Sequence, residues 1–148
     1  MHAAHHKGPN TAFAEAFEAA WAQPTADALT ALLHEEVVLY QPTAPPIRGR
    51  DAAHREFTAL LRWLPGTHAV VDDSLGEDTQ CFIRFRLCFP VGRRGVQLPS
   101  VDHFILRNGR ALSRRAHFDP APLMLAVALR PWMWWGFLRY RLRILAPA

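Results

Sequence analysis

The residue whose type and setting come closest to chemistry is Asp102. It lies in register with Leu98, Ser100, Phe104 and Leu106 on one face of a run with period two, so its carboxyl points the way the apolar side chains point. A carboxylate buried alone is costly unless it is neutral or paired. Asp102 is therefore either a working group in a pocket or a structural carboxylate tying neighbouring strands together. Tyr40 and Gln41 close an earlier apolar run just before a proline-rich loop. There they can offer polar contacts to a ligand or satisfy backbone groups of that loop. His117 alternates away from Phe118, and His103 away from Asp102, so both are expected on the opposite face. His54 reads as solvated helix surface, and Asp119-Pro120 as a turn cap.

Several other chemistries have no support. No phosphate-cradling glycine loop, Gly-x-Ser-x-Gly elbow or His-Glu-x-x-His helix is present, so no cofactor is expected. Cys81 and Cys88 lie seven residues apart on one strand, facing opposite ways and without metal-ligand spacing. They read as buried free thiols in a reducing compartment. His2, His5 and His6 sit in a polar terminus and are not read as a metal site, so none is expected.

The elements that must position these groups can be read from periodicity. Phe13, Phe17 and Trp21 form a helical stripe starting at the Thr11 cap, and a second short helix is expected from Ala26 to His34. Val37–Tyr40 is a strand, ended by a loop whose prolines cannot supply ladder amides. A third helix follows from Arg50 to Leu64, with Ala53, Phe57, Leu60, Leu61 and Leu64 at helical spacing. Then the period changes to two: Ile83, Phe85 and Leu87 share one face, Arg84 and Arg86 the other. Gly92–Gly95 and Asn108-Gly109 mark hairpins, and a last strand runs from about Ala111 to Phe118. Three helices followed by long strands predict an α+β fold, with the helices on one face of a curved, mostly antiparallel sheet.

At 148 residues one core is the default. The body is expected over residues 10–120, and residues 121–148 form an apolar, arginine-rich extension. Lys plus Arg number 17 against 13 Asp plus Glu, and the whole excess lies in Arg130, Arg139, Arg141 and Arg143, beyond the last acid. The body has no basic stripe, so nucleic acid is not an expected partner. The extension's tryptophans and arginines suit a lid, an oligomer contact or a membrane surface. No charged-then-apolar leader opens the chain, which points to the cytoplasm, with a peripheral membrane association open through the extension.

This order of elements resembles the SnoaL-like polyketide cyclase and ketosteroid isomerase superfamily, with its cone-shaped nuclear transport factor 2-like fold. The resemblance rests on Leu32-Leu33-His34-Glu35-Glu36-Val37-Val38, Ile47-Arg48-Gly49-Arg50-Asp51-Ala52, Val101-Asp102-His103-Phe104, Asn108-Gly109-Arg110 and Ala116-His117-Phe118-Asp119-Pro120. It covers residues 11–120. It implies a homodimer and a small, apolar, ring-bearing ligand, isomerised, cyclised or hydrated without a cofactor, or simply bound. Both base positions the resemblance implies are non-acidic, being Gln41 and Ala116, which leaves Asp102 as the catalytic candidate. The resemblance also turns Arg114, Ala116 and Phe118 toward Asp102 and suggests an Asp102–Arg114 ion pair. Trp63, Ile83, Phe85, Leu87 and Phe104 complete the expected pocket, with Tyr40 and Gln41 at its rim.

Overall fold

A computed structural model describes residues 11–145. The segment with His2, His5 and His6 and the side chain of Thr11 lie outside the described residues. Helix α1 (Thr11–Ala22) buries the Phe13, Phe17 and Trp21 stripe. Its rings meet Phe104, Phe85 and Phe57 edge-on at 4.9, 5.2 and 6.3 Å respectively, the arrangement that aromatic quadrupoles favour.

Helix α2 is shorter than its leucine spacing predicts. It spans Ala26–Thr30, opened by the Thr25 hydroxyl accepting from the Ala28 amide at 3.1 Å. Leu33 already begins β1 (Leu33–Tyr40). The four-residue spacing of Leu29 and Leu33 looks helical, but Leu33 is buried by pairing with Ala111, whose amide donates to the Leu32 carbonyl. Next come β2 (Ile47–Arg48), α3 (Arg50–Trp63), β3 (His68–Gly76), β4 (Gln80–Phe89), β5 (Val96–Arg107) and β6 (Arg110–Phe118).

The six strands form one sheet in the order β2-β1-β6-β5-β4-β3. Among the described residues the β1–β6 pair alone is parallel, and every other neighbour is antiparallel. The alternation expected in β4 and β5 is present: Cys81, Ile83 and Phe85 are buried, as are Leu98, Ser100, Asp102, Phe104 and Leu106. Asn108 and Gly109 both take positive φ, 53° and 75°, which the two-residue turn between β5 and β6 requires. Cys81 and Cys88 are both buried and free.

The extension packs into the body. Helix α4 (Ala121–Ala128), a single 3-10 turn (Pro131–Met133) and α5 (Trp134–Leu145) follow β6. Leu123 and Val127 of α4 join Leu64, Phe89, Val91 and Leu98 in an apolar cluster separate from the one beneath α1. Helix α5 lies against α3 so closely that a Cβ on Gly136 would stand 2.8 Å from Trp63 Cδ1. No described helix is long and apolar enough to cross a membrane.

Candidate functional site

Between the sheet, α3 and the extension lies a cavity of about 380 Å³. Helix α3 contributes Glu56, Phe57, Leu60 and Trp63, and the sheet contributes Phe85, Leu87, Ser100, Asp102, Arg114 and Ala116. The Pro42–Ala44 loop forms another wall. The extension supplies Leu123, Met124, Phe137, Tyr140 and Arg141. Most of this lining is apolar, and the polar groups form one chain across it.

Asp102 is 2% exposed, and its Oδ2 lies 3.5 Å from Arg114 Nε. Arg114 Nη2 donates to Gln41 Oε1 at 3.2 Å. Gln41 Nε2 in turn points to Glu56 Oε1 at 3.5 Å, and the Tyr140 hydroxyl donates to the same oxygen at 2.9 Å. Five residues from β5, β6, the end of β1, α3 and α5 thus connect in sequence. Outside the chain proper, Arg141 Nη1 donates to the Thr43 carbonyl at 3.0 Å, fastening α5 to the proline-rich loop.

The local structure explains each placement. Asp102 and Arg114 point inward by strand alternation, diagonal to each other across the β5–β6 pairing. Glu56 falls on the buried stripe of α3, three residues after Ala53 and four before Leu60. Burial raises the Asp102 carboxyl from its ordinary 3.8 to about 6. Arg114, His117 and, more weakly, the nearby Ser100 hydroxyl pull it back down. Desolvation and the Glu56 charge push the Tyr140 phenol far up, so it stays a protonated donor. Among the described residues, three buried polar atoms at the Asp102 end, Ser100 Oγ, Asp102 Oδ1 and Arg114 Nε, make no hydrogen bond, although Arg114 Nε is ion-paired with Asp102 Oδ2. They can engage a polar group on a guest molecule.

A SnoaL-like domain model matches residues 14–113, most of the chain. The chain belongs to the SnoaL-like domain family. No curated protein sequence matches it. Solved structures do. A candidate SnoaL-like polyketide cyclase from Jannaschia sp. CCS1 superposes with a TM-score of 0.69 at 19% identity, covering 82% of this chain and 93% of that one. A hypothetical protein with a ketosteroid isomerase-like fold from Catenulispora acidiphila, in complex with trimethylamine, gives 0.70 at 12% identity, covering 78% and 91%. TerC co-crystallised with polyporic acid gives 0.66 at 18%, covering 80% and 98%. At these identities the likeness establishes the nuclear transport factor 2-like fold and nothing finer.

Within this SnoaL-like chain the sequence reading of the site divides. Gln41, Trp63, Phe85, Leu87, Asp102, Arg114, Ala116 and Phe118 all line the cavity. Tyr40 does not. It alternates with the buried Leu39 and turns to the other face, where Arg115 Cζ sits 4.2 Å from its ring centroid. Ile83 and Phe104 are on the correct face but under α1, where Phe13 and Phe17 close on Phe104. His103 stacks on Phe82 at 4.3 Å, and His117 is exposed, as alternation predicts. His54 is not simply solvated, since its Nε2 lies 2.9 Å from Asp27 Oδ1. Asp119 accepts from the Ala121 amide at 2.9 Å and caps the turn into α4. The reading missed Glu56 and Tyr140. A carboxylate on the apolar stripe of α3 was a visible signal for the first; nothing in the pattern tied Tyr140 to it.

Proposed function

We propose that this SnoaL-like protein binds a small, predominantly apolar compound in the cavity and holds its one polar group at Asp102. The carrying observation is an apolar-walled cavity ending in the buried Asp102 carboxyl, whose Oδ1 makes no hydrogen bond among the described residues and whose Oδ2 is ion-paired with Arg114. Its volume lies in the usual range for small-molecule sites. On this reading the bound ring compound undergoes cofactor-independent proton transfer, as isomerisation, cyclisation or hydration. Asp102, titrating near 6, exchanges the proton, while Arg114 steadies the charged form. Glu56 is a second carboxylate within the same cavity, one side chain away from Gln41. The family's candidate polyketide cyclase and the TerC complex with polyporic acid are compatible with such a ligand.

A second reading, a binder without turnover, is favoured by Gln41 and Ala116 standing where bases are expected. A thermal-shift screen against steroids, polyketide intermediates, terpenoid epoxides and fatty acids finds the ligand class. Asp102→Asn and Glu56→Gln then separate the readings. Loss of turnover with retained binding supports catalysis, whereas altered affinity alone supports the binder. No stabilising hit from any class would count against the proposal as a whole.

The proposal extends to assembly. Val70, Phe82, Val101 and Ile105 are exposed apolar side chains on the outer face of β3, β4 and β5, a surface suited to a second copy of the chain. The two buried thiols suit a reducing, cytoplasmic setting. Sedimentation across a concentration series tests the dimer.

A further inference from the structure

The outward side of the extension has no function in the cavity. Helix α5 turns Phe137 and Tyr140 inward, where both rings pack on Trp63 at 5.4 and 5.2 Å. About half a turn round the helix, Trp135, Leu138 and Leu142 face solvent, Trp135 being 69% exposed. Before them Leu129 and Trp132 are 69% and 77% exposed. Arg139 and Arg143 flank this strip. With Arg62 of α3 they line a groove of about 240 Å³ beside Trp63, Gly136 and Tyr140, and no carboxylate borders it. Among the described residues none of these three arginines forms an ion pair.

Indole and leucine side chains beside guanidiniums that have no ion pair among the described residues match a bilayer boundary, with apolar groups among the acyl chains and cations at the headgroups. A second copy of the chain fits less well. A two-fold contact through this face brings Arg139 and Arg143 toward their own counterparts, and the extension has no acid to relieve them. We propose that the outer face of the extension docks on an anionic lipid bilayer, with Trp132, Trp135, Leu138 and Leu142 inserted at the interface and Arg62, Arg139 and Arg143 taking lipid phosphates. Docking of this kind stands whether or not the cavity binds anything. It lies in the plane of the surface, since no described helix can span it.

The test uses the full chain and sedimented vesicles, either neutral phosphatidylcholine or phosphatidylcholine with about a third phosphatidylglycerol. Strong binding to the anionic vesicles, weak binding to the neutral ones, and loss at about 0.5 M salt are expected. Each arginine near the surface contributes about fivefold in partitioning, so R139Q/R143Q weakens binding about 30-fold. Trp135→Ser with Leu138→Ser weakens it on vesicles of both kinds. All four positions are exposed, so unchanged melting curves confirm that the variants fold. Equal binding to both vesicle types, binding to neither, or variants that bind as the parent does would overturn the proposal. So would burial of the strip in a self-associated species that excludes vesicles. Inorganic phosphate at millimolar level serves as the soluble-anion control, and its binding without any vesicle binding would count against the bilayer.

Discussion

Replacing Asp102 with Asn tests the electrostatics of the cavity directly. In the folded chain burial lifts this carboxyl from 3.8 to about 6, so the native state keeps its proton to higher pH than the unfolded chain does. The corresponding stabilisation is complete below about pH 4 and is lost as pH rises through about 6. At about 1.4 kcal/mol per pH unit the shift amounts to about 3 kcal/mol. For a chain of this size that is about 6–12 °C in Tm. Asparagine does not titrate, and the attraction between Arg114 and the ionised carboxylate is already contained in the Asp102 shift. The assay is Tm measured from pH 4 to pH 7.5 for both proteins, with the wild type minus variant difference plotted against pH. It should fall by that amount, with its midpoint at about pH 5, between the unfolded and folded values. A flat difference would refute the reasoning, and a difference rising with pH would mean that Arg114 outweighs burial.

Other substitutions probe how the extension is held. Tyr140→Phe removes a donor from the buried Glu56 carboxylate, so about 2 kcal/mol of stability should go, read as a Tm drop of about 4–8 °C. Gly136→Ala gains about 1 kcal/mol of helix propensity but drives a Cβ to 2.8 Å from Trp63 Cδ1. Overpacking of about 1–3 kcal/mol outweighs that gain, so Tm should fall and the tryptophan fluorescence should change; a higher Tm would show that the ring yields freely. Leu123→Ala should cost about 3 kcal/mol through the apolar cluster that α4 shares with the body, in a single melting transition. An unchanged melt would mean that α4 is not docked in solution.

Much of the sheet was legible because its period is clean. Alternation in β4 and β5 set the faces of Ile83, Phe85, Asp102 and His103 correctly, and Asn108-Gly109 announced its turn. Strand β3 gave no comparable signal. Asp72 and Asp73 interrupt its alternation where the register shifts between Val71 and Asp73. Depth along a strand was also hidden. Ile83 and Phe85 read alike and both are buried in the core cluster, yet only Phe85, which also meets Phe17 of α1, reaches the cavity. Periodicity reports a side chain's face, not which helix lies over it. Tyr140 shows the same limit across 84 residues of chain separation from Glu56. The Asp102–Arg114 pair joins neighbouring strands and was accessible through the family resemblance, whereas the Glu56–Tyr140 pair needed the docking of α5.

That docking has a consequence for how such a protein can diversify. The part of the chain matched by the family ends at residue 113, but Leu123, Met124, Phe137 and Tyr140 form a whole side of the cavity. The chamber therefore has a wall built from sequence beyond the residues the family matches. Altering that stopper changes the size and polarity of the chamber while leaving every strand pairing intact. On the proposed reading, a chimera carrying another extension after Pro120 would change what the cavity accepts, provided the new extension keeps the apolar cluster with Phe89, Val91 and Leu98.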